Sequence, residues 1–490
     1  MRIQSIIGKT VVFCACMSAS PSFAQKYEAE RGDYYSVEMK ADQSGYSGDG
    51  YVEFLSYDQS SVGISVATSQ NGTYAVALRI LNIPGQPVPS RVKIECDENT
   101  YVCSQRLPPS GQFGSVQANA SVYLPKGDHV FYITGLGGKW MLDYIELQPA
   151  DEAGNTQAAD LPPLVTKNPS SESRALYEYL CSMRGKGILS GQQIYTRTPE
   201  IKAIADATGK YPAVLGIDFI DYSPSRAAYG ARGTATTEAL KWWQAGGIVA
   251  ACWHWNAPSG LVNKDEPDKH WYEGFRPAAT TFDFVKGLDD RNSGEYKFLL
   301  RDIDVIAGQL KILQDAGVPV LWRPLHEASG AWFWWGSKGK DNYIRLYELV
   351  FDRLQNYHKL NNLIWVWNGQ NPEWYPGDGY ADIVSYDIYP KKREYSDQQD
   401  ILSLMQSCSE RPKLLAFSEN GTLPDIEKLA EGSAPWSYFC TWNGEFAVTK
   451  QGKYSGEYTD EETFKRYYAN EYVITRDELP SFANDKQSEK

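Results

Sequence analysis

The residues best suited to chemistry lie in one stretch, Val320 to Gly336, which reads VLWRPLHEASGAWFWWG. An apolar run ends in Arg323, His326 and Glu327, and Trp332, Phe333, Trp334 and Trp335 follow within one short loop. An acid beside aromatic rings has its proton held by desolvation, so it can donate that proton to a leaving oxygen. Flat rings offer stacking faces to pyranose sugars, although most large aromatics serve packing. A second acid, Glu419, ends another apolar run at Ser418-Glu419-Asn420. Two opposed carboxylates are the minimal apparatus for cleaving a glycosidic bond, one attacking the anomeric carbon and the other protonating the leaving oxygen.

Elements that bring such groups together are legible in the second part of the chain. Apolar runs at Gly187 to Leu189, Ala213 to Phe219, Gly247 to Trp255, Val318 to Leu325, Asn362 to Trp367, Ile383 to Tyr386, Leu414 to Phe417 and Trp436 to Thr441 read as strands. Helical stretches lie between them, such as Ile303 to Ala316, closed by Gly317, and Tyr343 to Leu360, opened by Asp341. Eight strands with intervening helices predict a (β/α)8 TIM barrel of class α/β over residues 164–482. A doubly wound open sheet lacks its glycine-rich phosphate loop here. The barrel places chemistry where strands end, and the polar residues comply: His254, Trp255 and Asn256 after the third strand, Arg323, His326 and Glu327 after the fourth, Tyr386, Asp387 and Tyr389 after the sixth, Glu419 after the seventh, Trp442 and Asn443 after the eighth.

Upstream, residues 25–150 are short, β-rich and turn-rich, which predicts a jelly-roll-like β-sandwich. Residues 151–163 lose apolar periodicity and read as a linker, and 483–490 form a polar tail. Residues 1–24 read as a signal peptide: Arg2 and Lys9, an apolar stretch, then Ser22-Phe23-Ala24. Export follows, to a secreted, periplasmic or cell-surface location, with Cys16 as the alternative lipid-anchor site. No other stretch is long and apolar enough to span a bilayer. Among eight cysteines, Cys96 and Cys103 are expected to pair in an oxidising compartment, and Cys252 and Cys440 to be buried thiols. Five histidines and no CxxC spacing argue against a zinc site. The net charge of −13 argues against nucleic acid and anionic membranes as partners.

Two resemblances sharpen these expectations. YEAE (Tyr27 to Glu30), GYSGDGYV (Gly45 to Val52) and GGKWMLDYIEL (Gly137 to Leu147) resemble a family 35 carbohydrate-binding module. That resemblance implies a structural calcium held by Glu28, Glu30 and Asp143, carboxylates being the oxygen donors calcium prefers. Tyr46 and Trp140 then either stack on a sugar or cover the sandwich edge.

WRPLHEASGAWFWWG (Trp322 to Gly336), SENG (Ser418 to Gly421), YDIY (Tyr386 to Tyr389), YPGDGYAD (Tyr375 to Asp382) and YVITRDELP (Tyr472 to Pro480) resemble glycoside hydrolase family 26, best known for β-mannanases. The resemblance implies Glu327 as general acid/base and Glu419 as nucleophile of a retaining double displacement, with no catalytic cofactor. It implies substrate contacts at His326, Trp332, His254, Trp442 and Asp221, with Tyr386 against the nucleophile. The expected activity is endo-β-1,4-mannanase on mannan, glucomannan or galactomannan, by a monomer. The alternatives are mixed-linkage β-glucan or β-1,3-xylan as substrate, an exo-acting mannobiohydrolase, or a non-catalytic surface glycan-binding protein.

Overall fold

The computed structural model describes residues 25–482 apart from 56–59, 84–89, 98–99, 150–160, 196–197, 410 and 433. The expected signal peptide with Cys16, most of the linker and the polar tail lie outside the described residues. Residues 25–149 form two antiparallel sheets. One runs Val37–Lys40, Tyr51–Phe54, Trp140–Pro149, Gly72–Asn82, Gly114–Leu124, with Gln25–Glu28 also pairing to Trp140–Pro149. The other runs Asp33–Tyr35, Ser60–Thr68, Gly127–Gly135, Arg91–Cys96, Thr100–Arg106. Alternate residues along the strands face inward, so Val52, Phe54, Val76, Leu78, Ile80, Ile94, Ile133 and Leu142 build one core between the sheets.

Two expectations about this module are corrected. Trp140 is fully buried, stacked on Phe54 with ring centroids 4.1 Å apart, so its ring is core and unavailable to a sugar. Cys96 is a free buried thiol in the sandwich core. Cys96 and Cys103 belong to adjacent strands of a hairpin rather than to one polar loop, and the register sets Thr100 against Cys96 and Ile94 against Cys103. Burial pushes the Cys96 thiol up to about 12.

The second part closes into a barrel of parallel strands. They are β1, in two short pieces (Ile188–Leu189 and Gly191–Gln193), β2 (Val214–Asp218), β3 (Ile248–Trp253), β4 (Val320–Pro324), β5 (Leu363–Trp367), β6 (Ile383–Ile388), β7 (Leu414–Asn420) and β8 (Trp436–Thr441). Closure is made by Leu189 opposite Tyr438 and Gln192 opposite Thr441. Each overlaps an apolar run of the sequence, but the second piece of β1, Gly191–Gln193, lies beyond the run Gly187 to Leu189.

The helix Gly294–Asp315 ends where Gly317 adopts φ +70°, and Val318 N–H turns back to the Leu313 carbonyl, the cap expected at that glycine. The next helix, Lys340–Asp352, has Asp341 inside its first turn rather than at its cap, and it continues as a π-turn over Arg353–Tyr357. Leu321, Ile364, Ile383, Leu414 and Tyr438 pack in one cluster, while Trp322, Trp365 and Leu310 pack in another between strands and helices. Leu321 and Arg323 share a face of β4. Arg323 reaches across to β7, so that face is the barrel interior. Among the described residues no helix is long and apolar enough to cross a membrane.

Candidate active site

At the mouth of β4 the chain leaves ordinary geometry. Leu325, Glu327 and Ala331 have φ of 52°, 54° and 57°, left-handed values that branched or long side chains rarely adopt. Strain of this kind persists only where neighbouring structure fixes it. Glu327 N–H is held by two acceptors at once, the Asn368 carbonyl at 2.7 Å and Asn368 Oδ1 at 3.0 Å. This aims the Glu327 carboxyl into the cleft, where Trp332 Nε1 donates to Oε2 at 2.7 Å and Gln370 Nε2 approaches Oε1 at 3.4 Å. Burial, followed by the charge of Glu419, raises the Glu327 pKa above the usual carboxylate range.

Glu419 comes from β7 by a second irregularity. The β6–β7 register shifts so that Tyr386 faces Phe417 while Asp387 faces Glu419, leaving Ser418 as an extra residue. Strict alternation would turn either Ser418 or Glu419 outward; the bulge lets both point inward. Arg323 then fills the space between acids, donating from Nη1 to Asp387 Oδ2 at 2.8 Å and from Nη2 to Glu419 Oε1. Tyr389 Oη donates to Glu419 Oε2 at 2.8 Å. The phenol on this carboxylate is therefore Tyr389 and not Tyr386, because the strand turns at Asp387. Tyr386 instead feels the charges of Asp387 and Glu327, which with burial raise its pKa. One oxygen each of Glu327, Asp387 and Glu419 lie within 4.8 Å of one another.

Behind the acids stands a histidine pair. Asp218 accepts from His254 N–H at 3.0 Å and contacts Nδ1 at 2.7 Å, while His254 Nε2 lies 3.1 Å from His326 Nε2. Against the lowering effect of burial, Asp218 raises the His254 pKa; burial and the charges of His254 and Arg323 push His326 well below its ordinary value. A proton on His254 donated to neutral His326 satisfies both directions.

The aromatic loop divides: Phe333, Trp334 and Trp335 are buried, with Trp334 Nε1 on the Trp255 carbonyl and Trp335 Nε1 on the His326 carbonyl, whereas Trp332 is 45% exposed. Trp442 is half-buried, its ring centroid 5.9 Å from His254. Asp221 lies apart from the acids, paired at 3.0 Å with buried Arg226, whose guanidinium also meets the Tyr272 carbonyl, the Tyr195 hydroxyl and the Trp271 ring.

Sequence reasoning named Glu327, Glu419, His326, His254, Trp332 and Trp442, and the structure brings these together. It passed over Asn368, a polar residue directly after the apolar run LIWVW, and left Asp387 without a role.

In the sandwich, Glu28, Glu30 and Asp143 meet around the turn at Ser47 to Asp49. Asp143 is the extra residue of a bulge between Leu142 and Tyr144. It accepts from Ser47 N–H at 2.9 Å and pairs with Arg79 at 3.0 Å. Ser47 Oγ donates to Glu28 at 2.9 Å, and Asp49 N–H donates to Glu30 Oε1 at 2.9 Å. Gly48 allows this approach: a Cβ there would sit 2.2 Å from Glu30 Oε1. Glu30 Oε2 is buried with no hydrogen-bond partner, and burial with neighbouring acids raises the pKa of Glu28 and of Asp143. Glu28 and Glu30 fit a hard cation, whereas Asp143 already has a cation in Arg79.

Comparison with known proteins gives the family. Residues 165–478 match the model of glycosyl hydrolase family 26. A mannan endo-1,4-beta-mannosidase of Thermothelomyces thermophilus is 38% identical, the alignment covering 95% of this chain and 92% of that one. Mannan endo-1,4-beta-mannosidase B of Piromyces is 34% identical over 96% of this chain and 80% of that one. Among solved structures, the Podospora anserina GH26-CBM35 beta-(1,4)-mannanase superposes with a TM-score of 0.62 at 33% identity, covering 94% of this chain and 99% of that one. With a family match across the whole barrel, and relatives this similar over sandwich and barrel together, the chain belongs to glycosyl hydrolase family 26.

Proposed function

We propose that this protein is a retaining endo-β-1,4-mannanase acting on mannan, glucomannan or galactomannan. The observation that carries the reading is the facing of two strand-end acids, one oxygen of Glu327 lying within 4.8 Å of one oxygen of Glu419. Retaining enzymes hold their carboxyls ~5–5.5 Å apart, whereas inverting ones leave ~6.5–9.5 Å for a water. The mannan-active relatives supply the substrate class.

Glu419, aimed by Arg323 and Tyr389, attacks the anomeric carbon while Glu327 protonates the leaving oxygen. Ester formation removes the Glu419 charge, one of the causes that raise the Glu327 pKa. Its pKa therefore falls, so Glu327 stays ionised after giving up its proton and serves as general base in the second step, where it takes a proton from the water that releases the sugar. Trp332 walls the cleft beside the acid, Trp442 stands next to His254, and buried His326 holds His254 from behind. Asp221 acts indirectly, by holding Arg226 beneath Tyr195, Trp271 and Tyr272.

Mannan, glucomannan, lichenan and β-1,3-xylan digests, resolved by product length, test this. Mixed manno-oligosaccharides from mannan are expected. Turnover of lichenan or xylan alone rejects the substrate, and mannobiose alone from the outset rejects the endo mode. Glu327→Ala should lower kcat on mannan about 10²–10⁴-fold; full activity would remove Glu327 from the role of acid/base.

Two further readings are proposed with it. Glu28 and Glu30 hold a calcium ion in the sandwich, supported by the unpartnered Glu30 oxygen. The protein acts outside the cytoplasm, as a monomer, after loss of residues 1–24. N-terminal sequencing of secreted material should begin at Gln25, and size-exclusion chromatography should give one chain. A mature chain that begins with a lipid-modified Cys16 overturns the soluble form.

A further inference from the structure

We propose that Asn368 is a positioning residue that registers the proton donor to the nucleophile, tying the backbone of Glu327 to the Asp387–Arg323–Glu419 cluster. The inference rests on the acid/base and nucleophile reading given above and adds a residue to it.

Asn368 follows β5 directly and is fully buried. Its amide nitrogen donates to Ser418 Oγ at 2.7 Å and to Asp387 Oδ1 at 2.9 Å, with Ser385 Oγ at 3.3 Å. Its Oδ1 and its main-chain oxygen together accept Glu327 N–H. The amide orientation is forced, because the swapped group would set oxygen against a carboxylate and NH₂ against an N–H. One side chain thus joins three strand ends. Through Glu327 it holds the loop after β4, through Asp387 the end of β6, and through Ser418 the bulge of β7 that aims Glu419.

The backbone around this junction explains why a fastener is needed. Leu325, Glu327, Ala331 and Gln370 all have φ between 52° and 60°, and all lie in the two loops that Asn368 connects. Neighbouring atoms repeat the connection, with Ser329 N–H on the Gly369 carbonyl at 3.3 Å and Gln370 Nε2 near Glu327 Oε1. A left-handed glutamate has a lower-energy alternative in the right-handed region, which would swing its carboxyl out of line. Asn368 touches neither the Glu327 nor the Glu419 carboxylate, so its effect passes wholly through placement.

The test compares wild type, Asn368→Ala and Asn368→Asp on mannopentaose, recording kcat, KM, pH profile and thermal unfolding. Asn368→Ala should lower kcat at least tenfold with KM changed less than threefold, and should move the basic limb of kcat/KM. Asn368→Asp carries the discriminating prediction. Its protonated carboxyl reproduces one acceptor and one donor, so its activity should climb at least tenfold relative to Asn368→Ala as pH falls from 8 to 5. A lowered unfolding temperature with unaltered kcat and pH limbs, or two variants with the same pH dependence, would overturn the role. If Asn368→Ala fails to fold, Asn368→Asp measured against its own high-pH activity decides the matter. An inactive wild type overturns the activity reading and this proposal with it; an active wild type beside unaltered variants overturns only the role of Asn368.

Discussion

The barrel mouth and the sandwich edge each gather three carboxylates, and they neutralise them in opposite ways. In the barrel Arg323 lies between Asp387 and Glu419, and Asn368, Ser418 and Tyr389 fill remaining lone pairs. The sandwich sets Arg79 on Asp143 and leaves Glu28 and Glu30 with a hydroxyl, a backbone N–H and one orphan oxygen. The barrel carries its cation inside the chain, which keeps the donors fixed as charge develops during reaction. With the calcium proposed above, the sandwich instead draws its cation from solution, and its edge is then a ligand-dependent clasp.

Removing each cation should therefore separate the two regions. Arg323→Met leaves two buried acids unpaired and should cost the barrel about 3–5 kcal/mol in urea unfolding, with loss of mannan hydrolysis. A barrel that kept full stability would show that Arg323 is dispensable for charge balance. Calcium at about 100 times its Kd should add ~2.7 kcal/mol to the sandwich transition in calorimetry, reversed by EDTA and absent in Glu30→Gln. Mannan hydrolysis should be unchanged by EDTA; a parallel loss of activity would mean the two regions are coupled.

The same contrast appears against pH. Glu28 and Asp143 have raised folded-state values, so the stability they confer is complete at low pH and is lost as pH rises through those values. In calcium-free buffer the sandwich should weaken on going from acid to neutral pH, and calcium should abolish the trend.

The smallest effect concerns Trp332, whose indole N–H lowers the Glu327 pKa against burial and the Glu419 charge. Trp332→Phe keeps a ring and removes that donor, so the basic limb of kcat/KM should move to higher pH by about 0.4–1 unit. A shift to lower pH would mean that the ring acts chiefly through desolvation.

Much of this was legible beforehand, and the misses share a cause. Glu327 and Glu419 were readable because a polar residue ending an apolar run lands at the barrel mouth whatever the local detail. Tyr386 was mistaken for Tyr389 because period-two alternation fails at the bulge beside Asp387. Trp140 looked like a surface ring because it follows a glycine turn, yet Gly138 folds that turn back, with φ +70°, over Ser90. Cys96 and Cys103 are close in sequence, but two paired strands separate their positions along the ladder by register. Asn368 carried no signal beyond being polar after LIWVW, since its partners come from β4, β6 and β7.

The amino-acid sequence by itself determined the eight strands, their order, the glycine that closes the helix before β4 and which two acids stand at strand ends. Those follow from local periodicity and from the rule that short βα units wind one way round a closed sheet. Only the tertiary structure decided the left-handed backbone at Glu327, the bulge that turns Ser418 and Glu419 inward together, and the single arginine shared by two acids. Each is a compromise between strands remote in sequence, stable only because the others are present. For that reason no single stretch of the chain records it.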